Sequence, residues 1–179
     1  MKKMTIATLS FLPAFAFAHA GHDGITMSQG FWAGLLHPIM GLDHLIALAA
    51  LGILLSGLSL KKSIAMGSVF LGLMAMGFYG VQSNLLNLGS GMVEGFIIFS
   101  VGLSVTLLLL SRVINIQLGV LAVTSFAIFH GMAHGVEVPA AMSANSFALG
   151  FMVSCIAVLS IGRLMATYAT QSYMRIRNA

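Results

Sequence analysis

Charge is what this sequence has least of. Of 179 residues, eight are Lys or Arg and four are Asp or Glu, which leaves the chain 7% charged. A soluble domain carries about 25%. So few charges cannot cover a water-facing surface, which excludes a soluble globular enzyme. Disorder is excluded as well, because it requires low hydrophobicity and high charge. The formal net charge is +4, yet no basic run exceeds two residues, so there is no footprint for nucleic acid. The single cysteine, Cys155, excludes an intrachain disulfide and any multi-cysteine metal cluster. It lies in an apolar stretch and reads as a small buried hydrophobe. No G-x-x-x-x-G-K-[ST] occurs, so this chain carries no phosphate-binding loop for ATP. Proline is rare too, with three in the chain, which leaves long stretches free to be helical.

What is abundant is apolar surface. Hydrophobic residues make up 59% of the chain, and the mean hydropathy is +1.02. Residues 1–20 have the layout of a cleavable secretory signal. Lys2 and Lys3 precede an apolar stretch over 5–17, broken at Pro13, and two A-x-A sites follow at Ala16-Phe17-Ala18 and Ala18-His19-Ala20. Residues 21–179 then form one unit without a visible linker. Apolar segments at 31–60, 63–81, 85–110, 113–133 and 141–170 are each long enough to cross about 30 Å of hydrocarbon as a helix. The first contains Pro38 and Gly41 and can be read as two pieces. The expected fold is therefore all-α, a polytopic transmembrane helix bundle of about five to six spans. With the mature N-terminus outside, five crossings put Lys61, Lys62, Arg112, Arg163, Arg175 and Arg177 on the cytoplasmic side. This is the arrangement that the positive-inside rule expects of a bacterial inner-membrane protein.

The few polar groups are not scattered at random. A carboxylate at mid-bilayer costs about 2.5–3.5 kcal/mol on insertion scales, so each one there calls for a function. Asp43 lies inside the first span and Glu94 inside the third, and Glu137 ends the fourth. His37 and His44 are seven apart, which puts them on one face of a continuous helix, with Asp43 beside His44. His130, His134 and Glu137 follow an i, i+4, i+7 spacing, again one face. The topology places both sets in the outer half of the membrane. Packed together, the two spans can gather imidazoles suited to nickel, cobalt, copper or zinc, and carboxylates that offset the ion's charge. The expected metal residues are thus His37, Asp43, His44, His130, His134 and Glu137. Glu94 is a further candidate, as ligand or as structural acceptor between Gly91 and Gly95, a small-residue pair that lets another helix approach. His22 and Asp23 could collect metal outside. Among the thirteen methionines, only Met40 and Met132 stand near these residues, and packing accounts for the others. Pro38 reads as a first helical residue.

The strings His37-Pro38-Ile39-Met40-Gly41-Leu42-Asp43-His44 and Phe129-His130-Gly131-Met132-Ala133-His134-Gly135-Val136-Glu137 resemble the paired signatures H-P-x-x-G-x-D-H and F-H-G-x-A-H-G-x-E of the HupE/UreJ family of nickel/cobalt permeases. Every specified position matches, and the signal and the chain length are similar to the family's over nearly the whole sequence. The resemblance implies import of nickel, or of cobalt in some members, to supply enzymes such as hydrogenase or urease. It carries His37, Asp43, His44, His130, His134 and Glu137 over as metal-pathway residues. Members are usually described with six spans, which a split of the first segment at Pro38 and Gly41 would supply.

The expected function is secondary import of a divalent ion, nickel or cobalt, through a His/carboxylate site between the first and fourth spans. The ion is substrate rather than permanent cofactor. The expected partners are that ion and the lipid bilayer, with no nucleic acid; self-association is open. The alternative from another class is an intramembrane zinc hydrolase built on the same histidines. The His130/His134 pair has zinc-enzyme spacing, but Gly-Met-Ala between them lacks the glutamate of H-E-x-x-H.

Overall fold

The computed structural model describes residues 27–139 and 141–178. The expected signal sequence, His22 and Asp23 lie outside the described residues. Among those described, the chain is helical without strands: α1 (Met27–Met40), α2 (Leu42–Ser56), α3 (Leu60–Gln82), α4 (Ser90–Leu109), α5 (Ile116–Ser125), α6 (Ala127–Glu137) and α7 (Ala144–Arg177). Four stretches are long and apolar enough to cross a membrane, namely α3, α4, α5 with α6, and α7. The bent pair α1–α2 makes five when taken as one span. The apolar exterior fits a hydrocarbon solvent, with Ile98, Leu164 and Val113 among many large exposed side chains. At about 1.5 Å per residue, the 34 residues of α7 reach some 50 Å, so its arginine-rich end extends past a ~30 Å core.

Two breaks set the geometry. The first segment bends by 75° between α1 and α2, at Gly41, which is extended with φ −80° and ψ 108°. Pro38 does not begin a helix; it lies inside α1, in its last turn. There its missing N–H cannot bond the carbonyl four residues back, which weakens the helix near its stop. The fourth span is displaced from the expected 113–133 to Ile116–Glu137. Its start is set by Asn115, whose side chain accepts from the backbone N–H groups of Gln117 and Leu118. Its stop is set by Pro139, because a residue before proline disfavours the helical region, and Val138 is extended. A further kink at Phe126 separates α5 from α6.

The most extensive helix pairs are α3 with α6, α1 with α7, and α2 with α7. In the first two pairs backbones touch through glycine. A Cβ on Gly77 would strike the Ile128 carbonyl, and one on Gly131 the Met74 carbonyl. Gly34 and Gly150 play the same part for α1 and α7, against Phe147 and Phe31. Without a hydrophobic drive between helices in lipid, such close approach supplies the van der Waals contact that holds them. Gly91 and Gly95 on α4 differ: nothing stands within 4 Å of a Cβ there. The helix approach expected at that pair is therefore absent among the described residues. The core lies where α2, α3, α5 and α7 meet, around Leu51, Leu54, Phe70, Val120 and Cys155. Gly57, after α2, lies against the Ile116 side chain, and Gly52 against Leu159 and Arg163. Lys61, Lys62, Arg112 and the arginine end of α7 thus share one end of the bundle. The histidines gather toward the other.

Candidate metal site

Three helix ends build the site. His37 lies in the last turn of α1, Asp43 and His44 in the first turn of α2, and His134 and Glu137 in the last turn of α6. The site is walled by Phe147 and Phe151 near the start of α7, both within ring contact of His37. A helix C-terminus carries partial negative charge from unpaired carbonyls, so the ends of α1 and α6 both favour a cation. The N-terminus of α2 is the unfavourable end, and Asp43 offsets it.

The reading of His37 and His44 on one face of a continuous helix is corrected by the bend at Gly41. Along a straight helix, seven residues separate the two rings by about 10 Å. Here their centroids are 5.5 Å apart. The fold across Gly41 converts a stacked pair into a convergent one. Space is tight, since a Cβ on Gly41 would lie 2.8 Å from His44 Nδ1 and 3.2 Å from Asp43 Oδ1.

His37, His44 and His134 each offer a nitrogen, and the three lie within 4.8 Å of one another. His44 Nε2 is 3.0 Å from His134 Nε2. Behind each ring stands a carboxylate. Asp43 Oδ1 is 3.0 Å from His44 Nδ1, and Glu137 Oε2 is 3.1 Å from His134 Nδ1. An ionised carboxylate only accepts, so each Nδ1 donates its proton and each Nε2 presents a lone pair. Two lone pairs facing at 3.0 Å repel unless a proton or a cation is shared between them. Carboxylate–histidine–metal chains have this form, in which the carboxylate fixes the tautomer and raises the ring's basicity. Two nitrogens bound at ~2.1 Å to one ion lie ~3.0 Å apart at a right angle and ~3.4 Å apart at the tetrahedral angle. The observed spacing is short enough for both nitrogens to bind one ion.

Exposure grades across the cluster. The side chains of Asp43 and Glu137 are 54% and 56% exposed, His37 34%, His44 15% and His134 2%. Carboxylates form the rim and His134 the floor. Glu137 also stands 3.8 Å from His37 Nε2, so one rim carboxylate serves two imidazoles.

Of the residues singled out in the sequence, five meet here: His37, Asp43, His44, His134 and Glu137. His130 does not join the three-nitrogen group. It is buried one turn below His134, its ring 6.0 Å from that of His44, and its Nδ1 makes no hydrogen bond. Glu94 is exposed on α4, away from the cluster, without an ion-pair partner among the described residues. Met40 is exposed, and Met132 is buried in the core. Sequence reasoning passed over the neighbours of His130. A narrow cavity, about 20 Å³ in volume, is lined by His44, His130, Met74, Ser100, Ser104 and Cys155 together with apolar side chains. The i, i+4 spacing of Ser100 and Ser104 within an apolar span was the available signal.

Comparison with known proteins agrees with the two histidine motifs. The family described as HupE / UreJ protein matches residues 7–178. Protein HupE of Rhizobium leguminosarum bv. viciae is 34% identical over 161 residues, which cover 88% of this chain and 80% of that protein. No solved structure matches. A match over nearly the whole chain, taken with both motifs at convergent helix ends, places the protein in the HupE/UreJ family.

Proposed function

We propose that this protein imports a divalent transition-metal ion, nickel or cobalt, across the bacterial inner membrane. The ion enters through the His37/His44/His134 cluster, between the first and fourth spans, from the side where the mature N-terminus lies. Family membership supports a nickel/cobalt transporter in general. The observation that carries the finer reading is the His44–His134 pair, two Nε2 atoms 3.0 Å apart with both Nδ1 atoms committed to carboxylates. Such a pair is an incomplete coordination sphere. Exposed rim carboxylates attract the hydrated ion, imidazoles replace part of its water, and the remaining waters keep binding weak enough for release. Three imidazoles leave room on such an ion for retained water.

The driving force needs no ATP in this chain. A divalent cation moving inward gains about 4.6 kcal/mol per 100 mV of membrane potential, twice the ~2.3 of a single charge. The Asp43 and Glu137 carboxylates accept from the Nδ1 atoms of His44 and His134, the arrangement of groups that support metal-binding imidazoles. The transported ion is substrate, held only in transit.

The test is uptake of labelled nickel and cobalt into cells lacking their own importers. Intact protein is compared with His44→Ala and His134→Ala, each checked for membrane expression. Uptake by the intact protein that disappears in both variants supports the reading, and competition names the ion. Absence of uptake by the intact protein, with zinc retained tightly through purification, would refute it.

A further inference from the structure

The C-terminal ends of α3 and α6 lie side by side next to the histidine cluster, and they are finished in opposite ways. α3 closes on itself. Its last residue is Gln82, Ser83 caps it, and Asn84 takes a left-handed φ of 59°. Asn84 N–H donates to the Val81 carbonyl and Leu85 N–H to the Gly80 carbonyl, both at 2.9 Å. This is the Schellman pattern, which satisfies carbonyls that a helix C-terminus otherwise leaves bare.

α6 has no such closure. It ends at Glu137, and Val138 is extended. Among the described residues, no backbone N–H beyond the helix donates to the carbonyls of residues 134–137. The Gly135 carbonyl would ordinarily accept from the N–H four residues on, but that residue is Pro139, which has none. Pro139 thus stops α6 and leaves this oxygen without its backbone donor. The Gln82 side chain takes that place, with Nε2 donating to the Gly135 carbonyl. It reaches because Phe78, Val81 and Gln82 share one face of α3, at i, i+3 and i+4, and Gly135 seats against that face. A Cβ on Gly135 would lie 2.7 Å from the Phe78 carbonyl oxygen and 3.3 Å from Val81 Cβ.

The turn that receives this bond is the one that carries the ligands. His134 Nδ1 meets Glu137 Oε2 at 3.1 Å across Gly135, while His134 Nε2 stands 3.0 Å from His44 Nε2. Fraying of the last turn of α6 would disturb both distances together. We infer that Gln82 is a positioning residue for the metal cluster: from α3 it supplies the donor that Pro139 withholds, and so fixes His134 and Glu137 against His37 and His44. This rests on the metal-transport reading above. Gln82 acts through the backbone of α6 and contributes no ligand to the ion.

The experiment titrates Co²⁺ into full-length protein in lipid nanodiscs and follows the visible absorption of the bound ion, which reports its coordination. Gln82→Met keeps the length of the side chain and removes the donor. Its affinity for Co²⁺ is expected to fall about five- to tenfold, the scale of one hydrogen bond, with an altered spectrum. Gln82→Asn, whose stem is one carbon shorter, should fall likewise. Pro139→Ala gives residue 139 an N–H and frees Val138 to continue the helix. In that background Gln82→Met should lose less than about twofold, because one donor then replaces the other. Ser63→Ala is the control for general destabilisation. It removes a buried hydroxyl that donates from α3 to the Leu55 carbonyl of α2, at the basic end of the bundle, and should leave affinity and spectrum unchanged. Wild-type affinity in either Gln82 variant overturns the proposal. An equal loss with and without Pro139, or a matching loss in Ser63→Ala, does so too. Wild-type protein that binds no Co²⁺ would instead overturn the metal-site reading itself.

Discussion

Glu137 gives the sharpest test of how the outer cluster works, because its carboxylate is placed to act without binding the ion directly. In Glu137→Gln the side chain keeps its shape and an oxygen that can still accept from His134 Nδ1, but the charge is gone. With the ion on the Nε2 side of His134, the carboxylate stands ~6 Å from it. Coulomb attraction between a divalent ion and a unit charge at that distance is ~5.5 kcal/mol at an effective dielectric of 20 and ~1.4 kcal/mol at 80. Since the Glu137 side chain is 56% exposed, the water-like figure is the appropriate one. It corresponds to about tenfold in affinity, and weaker polarisation of the ring extends the expected loss toward 100-fold. Equilibrium titration of Co²⁺ or Ni²⁺ into nanodisc-embedded protein measures it. Raising the salt concentration should narrow the gap between wild type and variant, because exposed charges are screened. Affinity unchanged in Glu137→Gln would refute the carboxylate–imidazole–metal arrangement. A complete loss of binding would refute it differently, by making Glu137 a direct ligand.

Other consequences follow from the same geometry. Gly41→Ala should abolish uptake while the protein still inserts, because its Cβ would lie 2.8 Å from His44 Nδ1 and push the ring off His134; uptake at the wild-type rate would contradict this. Imidazoles must be neutral to bind metal, and histidine ordinarily titrates near ~6.5, so uptake is present above that value and falls as pH drops below about 6. Uptake held constant to about pH 5, at fixed membrane potential, would count against imidazole ligation. Gly131→Ala should lower thermal stability in detergent by about 1–3 kcal/mol or more, since its Cβ meets the Met74 carbonyl across α3. Gly95→Ala, with open space around it, should leave stability unchanged; equal effects at the two sites would refute the packing argument.

The amino-acid sequence by itself determined the solvent and most of the ligands. Eight basic and four acidic residues among 179 leave a lipid-facing bundle as the compatible state, and helix periodicity aligned His134 with Glu137 on α6. Both depend on composition or on contacts within a few residues, and these are local. The end of α6 was legible in principle, since Pro139 stops it, but an apolar count alone ended the span at residue 133. The sequence could not reveal that His37 and His44 converge through a bend, because the angle at Gly41 depends on how α1 and α2 each pack against α7. Nor could it show that Gly91 and Gly95 face open space while Gly131 receives α3, as the two pairs look alike until helix neighbours are assigned. Which imidazole joins which set was also decided by tertiary structure. His130 and His134 are one turn apart on the same face, yet only His134 reaches the His37/His44 rim, while His130 lines the cavity beneath. Side-chain chemistry is written in the chain, but its coordination geometry is fixed by helices distant in sequence that touch through glycine.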